Sequence, residues 1–273
     1  MTAAATWLSQ TRAAPLRPQQ WWVLTTRLIV PSVQSGEVLT SVLAPATFTA
    51  SFYIPLKTIM TVIGTGFSSY AQYMMPLVVL QAAAFTAVSA AFRAATDSVA
   101  GLNRRFGSMP IGPLVPVTAR LSGSVFRLAI GLITALICGH VIGFRFYLGT
   151  AETIGFVLFS LLIGLALIWG GDVIGTVSRN PEATAQALVL PPLIFGMLST
   201  GIAPAGQFPA WVQPFVRNQP VSQWAIALRA FAGDSGPNAG QLSLSLLGPP
   251  LAWALGILVV CVPLSIRLSS RRA

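Results

Sequence analysis

The sequence predicts an all-α integral membrane protein with six transmembrane helices, and three observations carry that expectation. Of its 273 residues, 54% are hydrophobic and only 8% are charged, against about 25% charged in an average soluble domain. The mean hydropathy is +0.75. Uncharged runs long enough to cross a bilayer, about 20 residues each, recur between short segments that hold nearly all the charge. So few charges would leave a soluble surface covered in apolar patches.

Each span can be justified in turn. Residues 38–56 carry no charge and cross once. Residues 58–92 form an uncharged run too long for one span; its Gly/Ser/Thr-rich start, GTGFSS, reads as a loop before a helix from about Tyr70. Residues 128–144 lie between Arg127 and Arg145, and residues 153–171 between Glu152 and Asp172. Residues 183–216 are again uncharged, with a helix expected to end near GIAPAG, and the last apolar block covers 242–266. An even number of spans puts both termini on one side. Residues 1–20 are polar, with Arg12 and Arg17, and do not read as a signal peptide, so insertion is expected from the internal spans.

The net charge of +10 would suit a nucleic-acid binder, but the arginines are separated by apolar spans and form no basic face. They read instead as topology signals. One side carries Arg12, Arg17, Arg27, Arg93, Arg104, Arg105, Arg120, Arg127, Arg179, Arg267, Arg271 and Arg272; the other carries Lys57, Arg145, Arg217 and Arg229. Twelve against four places both termini in the cytoplasm of a multi-pass plasma-membrane protein.

Three pieces do not span. In QQWWVLTTRLIV, residues 19–30, Trp21, Trp22, Leu24 and Leu28 lie within helical reach of one face while Gln20 and Arg27 fall elsewhere, so residues 1–37 are expected to hold an interfacial helix on the inner leaflet. The loop 96–120 opens as DSVAGLN, which can be helical, and continues as SMPIGPLVP, where three prolines forbid a regular helix. On the outer side, residues 205–236 are apolar with Trp211 and Trp224, yet broken by Pro209, Pro214 and Pro220. Broken helices at membrane depth survive only against protein or a cavity, so a re-entrant hairpin is expected there.

Chemistry-bearing residues are sparse. Cys138 and Cys261 stand alone in apolar runs, and His140 has no acid or second histidine at ligand spacing, so no metal site is expected. The six acids fall at span ends, and Asp172, after WGG, is the nearest to a buried carboxylate and reads as a residue bordering the inner headgroups. Gly139–Gly143 and Gly171–Gly175 match the GxxxG pattern of close helix packing. LSGS at residues 121–124 opens a span, and no GxxxxGK[ST] phosphate loop is found, so any ATP would be bound by another protein.

The segments FRAATDS, NRRFGSMP, VIGFRF, GTVSRNPEA, PFVRNQPVSQ and LRAFAGD, with six spans and the three non-spanning pieces, resemble the membrane subunit of type-2 ABC exporters. Within that family the similarity is to the daunorubicin-resistance and phthiocerol dimycocerosate permeases. The resemblance implies a coupling helix in loop 96–120 that docks on a separate ATPase, with Asp97, Gly101, Arg104, Arg105, Met109 and Pro110 at the contact. The family's usual Glu-Arg pair is replaced by ATDS, so the acidic contact rests on Asp97. The short loop SRNPEA, residues 178–183, would make a second contact. The resemblance also implies an outer gate at Pro209, Trp211, Pro220, Trp224 and Arg229, and a six-span domain over 38–266 with a cytoplasmic tail at 267–273. Expected partners are two copies of the ATPase, which would bind ATP and Mg, a second homologous permease, and membrane lipids. The expected cargo is a hydrophobic amphiphile, either a complex surface lipid or a drug such as an anthracycline. The chain itself would be no enzyme, hold no cofactor and bind no nucleic acid. The competing reading is a secondary transporter or channel working without an ATPase, which would want mid-span ionisable residues or inverted repeats.

Overall fold

A computed structural model describes residues 36–63, 69–102, 114–234 and 242–271, together with Trp22, Thr25, Thr26, Ile29, Val30 and Ser32. All regular structure among them is helical: α1 (Glu37–Ile63), α2 (Tyr70–Val99), α3 (Leu114–Ile142), α4 (Thr150–Val177), α5 (Pro181–Met197), α6 (Gln213–Asn218), α7 (Pro220–Ala232) and α8 (Leu244–Arg271). A single 3₁₀ turn, Ala205–Gln207, precedes α6.

Five helices, α1 to α4 and α8, are long and apolar enough to cross a membrane. They run to 27–30 residues, or about 40–45 Å at 1.5 Å per residue, which exceeds a hydrocarbon core of about 30 Å. Their ends therefore reach well past the uncharged runs. The sequence places the start of the second span at Tyr70, and α2 begins there.

The uncharged run 183–216 holds a helix that stops close to GIAPAG, as the sequence predicts, though it is shorter than the five long helices. That helix is α5, of 17 residues, followed by the turn at 198–204, the 3₁₀ turn and α6. Asn180 caps α5, its side chain accepting from Ala183 N at 3.1 Å, and Pro181 fills the first helical position. Beyond Met197, Pro204, Pro209, Pro214 and Pro220 each remove a backbone donor and deny a continuous helix.

The core is organised around α2, whose first half is buried almost all round, from Tyr70 through Ala84. It packs on α1, α3, α4, α5 and α7. At the end of the bundle remote from the 100–113 loop, Gln72 and Arg145 exchange two hydrogen bonds: Gln72 Nε2 to Arg145 O at 2.9 Å and Arg145 N to Gln72 Oε1 at 3.1 Å. Phe146 stands edge-on to Phe144 and Phe156, with centroids 5.0 and 5.3 Å apart. By contrast α1, α5 and α8 keep broad exposed apolar faces, such as Leu190 and Ile194 on α5 and Val259 and Val260 on α8. Such faces are at home in lipid, where exposure of an apolar side chain costs nothing.

Candidate functional site

The charges that sequence reading assigned to headgroups are instead drawn together inside the bundle. Asp172, in the fifth position before the end of α4, is buried. Arg120, early in α3, donates from Nε to Asp172 Oδ1 at 2.7 Å. Ser265 of α8 donates from Oγ to Asp172 Oδ2 at 2.7 Å. Arg120 also reaches Asp97 Oδ2, in the last turn of α2, from Nη1 at 3.5 Å. One ionic cluster thus ties four helices at the end of the bundle where α2 leaves for, and α3 returns from, the 100–113 loop. Ser98 Oγ reinforces it by donating to Thr176 O of α4 at 3.1 Å. Desolvating these charges is costly, and mutual pairing is what makes their burial tolerable. Deleting one partner of such a buried pair costs about 3–5 kcal/mol.

This cluster corrects two expectations. Arg120 and Arg127 do not lie outside the membrane-spanning helix; both are buried in α3, which begins at Leu114 rather than near residue 128. Asp172 does not simply border headgroups, since both its oxygens are engaged by protein donors. Removing the buried Arg120, Arg127 and Arg229 from the topology argument leaves ten basic residues against three. The asymmetry keeps its direction.

Of the residues assigned to the docking contact, Asp97 belongs to α2 itself, 30% exposed and bonded to Arg120. Gly101 follows the helix end at φ +69, a left-handed conformation that favours glycine and turns the chain out of α2. Arg104, Arg105, Met109 and Pro110 lie outside the described residues, as do Trp21, Leu24 and Arg27 of the interfacial helix. Trp22 is helical and exposed. Ser32, nearby in sequence, is buried and accepts from Arg93 Nη2 of α2 at 2.5 Å.

The outer-gate residues separate into three groups. Pro209 and Trp211 are exposed, Trp211 at 84%. Pro220 starts α7 and Trp224 is buried on it, donating from Nε1 to Pro250 O of α8 at 3.0 Å. Arg229 is fully buried, its guanidinium 3.6 Å above the Tyr73 ring, and it donates to the carbonyls of Tyr73 (3.0 Å from Nε) and Thr200. Burial pushes the Arg229 pKa down from the ordinary arginine value, and Tyr73 and Asp234 oppose that. The corner between α6 and α7 is pinned by Gln219, whose Nε2 donates to Phe195 O at 2.9 Å and Leu198 O at 2.6 Å at the end of α5.

Between α2, α4, α5 and α8 runs an apolar cleft. Its upper cavity, about 240 Å³, reaches Trp224 and Pro220. A second cavity of about 240 Å³ continues it along Ala84, Leu167, Pro191, Pro192 and Ile257, which line both. A wider hollow of about 730 Å³ opens between α4 and α5 at Arg179 and Asn180. Its walls come from α5 standing away from α4, and no periodicity in the sequence would have disclosed it. Among the described residues, no three His, Cys, Asp or Glu side chains converge as a metal site would require.

No protein-family model matches the chain. It is 47% identical over 259 residues to the doxorubicin resistance ABC transporter permease protein DrrB of Mycobacterium tuberculosis, covering 93% of this chain and 90% of that one. It is 30% identical over 196 residues to the probable doxorubicin resistance ABC transporter permease protein DrrC of the same organism, covering 71% and 68%. The daunorubicin resistance ABC transporter permease protein DrrB1 of Streptomyces coeruleorubidus is 29% identical over 201 residues, covering 73% and 68%.

Proposed function

The chain belongs to the drug-resistance ABC transporter permeases, and from that membership we propose that it is the membrane half of an ATP-driven exporter of hydrophobic amphiphiles. The relatives' names speak of doxorubicin and daunorubicin resistance, which favours an anthracycline-like cargo. A complex surface lipid is the other cargo of the same chemistry. Two copies of a separate ATPase, holding ATP and Mg, and a second homologous permease complete the assembly.

The observation that carries this reading is the ionic cluster at the mouth of the 100–113 loop. An ATPase that closes on ATP delivers a rigid-body displacement, and a displacement is useful only if its point of arrival is stiffly connected to the helices that must move. Asp97 and Arg120 flank the loop and bond to each other, and through Asp172 and Ser265 they engage α4 and α8. The apolar cleft between α4 and α5 lies beside those helices, and it supplies a track for cargo. Arg104 and Arg105 meet acids of the ATPase, with Met109 and Pro110 at the same contact.

The same proposal sets the topology. The basic residues put the loop and both termini in the cytoplasm. The fifth crossing is composite: α5 climbs from the cytoplasmic side and ends beside Leu77, where Gly201 also packs, and α6 with α7 fills the outer layer as a re-entrant hairpin. The Arg93–Ser32 bond supports an interfacial helix held against the inner part of α2.

A secondary transporter is the rival that Asp172 favours, since proton-coupled carriers use buried carboxylates. Both oxygens of Asp172 are already taken by Arg120 and Ser265, which suits a structural strut better than a proton carrier. The docking role is tested by co-purification with a candidate ATPase. Arg104→Glu/Arg105→Glu should cut recovery of the ATPase at least tenfold while the variant still inserts. Full recovery of both ATPase and export would refute the docking role.

A further inference from the structure

At the end of the bundle opposite the coupling loop, a cavity of about 240 Å³ is lined by residues that include Tyr73, Thr200, Gly206, Arg217, Ile226 and Arg229. Two of its eight lining residues are arginines, and the segments on that side carry four basic residues in the proposed topology. Arg229 is 1% exposed. Among the described residues no carboxylate comes within ion-pair distance of it. Its hydrogen bonds to protein run from Nε to Tyr73 O and from Nη2 to Thr200 O, which leaves Nη1 undonated among the described residues.

A buried guanidinium held by carbonyls and the Tyr73 side chain, with Asp234 acting on it only from beyond ion-pair distance, keeps a charge that is incompletely compensated. Its remaining donors form a fork suited to two oxygens of one anion. Arg217, exposed at the rim, doubles the positive charge there. The Thr200 backbone N–H is spent on Ser222 Oγ at 3.0 Å, and the two arginines are the charged donors that line the cavity. Within six residues of Arg217 in sequence, Phe215 is 47% and Trp211 84% exposed, an apolar skirt of the kind that sits among lipid chains and headgroups.

We infer that the Arg217–Arg229 cavity binds a phosphate group, presented by the headgroup of an anionic phospholipid in the leaflet on that side. Charge, donor geometry and the apolar skirt together select a phosphodiester tethered to acyl chains. A free phosphate would match the arginines and ignore the skirt. The site also disfavours a cationic amphiphile, so it is distinct from the cleft at Trp224, whose lining is apolar. Its leaflet rests on the proposed topology, whereas its ligand does not.

The test is lipid binding by the full-length protein, purified with its ATPase and measured separately from transport. In phosphatidylcholine nanodiscs, adding phosphatidylglycerol should raise the thermal midpoint and leave a phosphatidylglycerol molecule bound in native mass spectra. Arg217→Gln, on an exposed side chain that leaves the fold intact, should weaken that binding roughly tenfold, as expected for one lost charge-assisted bond. Arg229→Lys keeps the charge and loses the fork, and should weaken it similarly. Equal binding by Arg217→Gln and the parent protein would overturn the inference. So would stabilisation by inorganic phosphate alone with no further effect of phosphatidylglycerol, which would assign the cavity to a free anion. Because phosphatidylglycerol binding requires no ATP, its loss leaves the transport proposal standing, and failure of transport leaves the lipid site standing.

Discussion

Arg120→Ala is expected to lower the stability of the folded protein by about 3–5 kcal/mol, because it leaves Asp172 buried without its partner. The bond it removes is 2.7 Å long between groups 7% and 1% exposed, and Asp97 loses its contact at the same time. Export should fall to background. The informative companion is the double variant Arg120→Met/Asp172→Leu, which replaces the pair by apolar groups of similar volume. Such replacements are often neutral or stabilising, so the thermal midpoint should recover towards that of the parent protein. Export should not recover, since the link from the loop to α4 and α8 is still missing. Thermal unfolding in detergent and drug accumulation in cells provide the two readouts. A double variant that regains export would reduce the cluster to a packing device.

The second large effect is expected where α2 and α4 cross. A Cβ placed on Gly175 would overlap the carbonyl oxygen of Ala91, and one on Gly171 that of Ala87. In both cases the obstacle is backbone, which cannot rotate away as a side chain can. Gly175→Val should therefore force the two helices apart and cost about 3 kcal/mol or more, the upper end of overpacking penalties. The expected signs are a collapse in the yield of monodisperse protein and a large drop in thermal midpoint. Gly256→Ala on α8, where a Cβ meets nothing within 4 Å, serves as the control and should leave both unchanged. A Gly175→Val protein with the parent's midpoint would show that the α2–α4 contact tolerates separation.

These two cases also show what the sequence could disclose. The uncharged runs reveal four of the spans and the sixth because hydropathy is a local property. Tyr70 begins α2 as expected because GTGFSS breaks the run chemically. Gly171–Gly175 was legible as a packing motif, and its four-residue spacing does meet Ala87 and Ala91. Gly139–Gly143 has the same spacing but different surroundings: Gly139 faces the flexible Met75 side chain, and Gly143 ends α3 at φ +108. A pattern of two residues cannot distinguish these.

The ionic cluster was hidden for a different reason. Asp172 borders an uncharged run, Asp97 and Arg120 lie within eight residues of the edges of two others, and a run's edge looks like a membrane edge only if helices stop there. Here α2 and α3 continue past the charges, so the edges fall inside the bundle. Their pairing is long-range, between residues 52 and 23 positions apart, and local composition carries no trace of it. The fifth span is legible in part: GIAPAG marks where its helix ends, while hydropathy over the 34-residue run does not show that the helix has only 17 residues. Arg229 was counted as an outer charge because nothing in ALRAF signals that the bundle closes over it.

The central claim is that ATP hydrolysed by a separate subunit drives cargo through this chain. It is tested most directly by doxorubicin uptake into inverted membrane vesicles containing the chain and its second permease, with and without the ATPase. Uptake that requires both ATP and the ATPase, and that survives dissipation of the proton gradient, is the predicted result. Equal uptake by the chain without the ATPase, driven by an imposed proton gradient and abolished with it, would contradict the account and make this protein a secondary transporter.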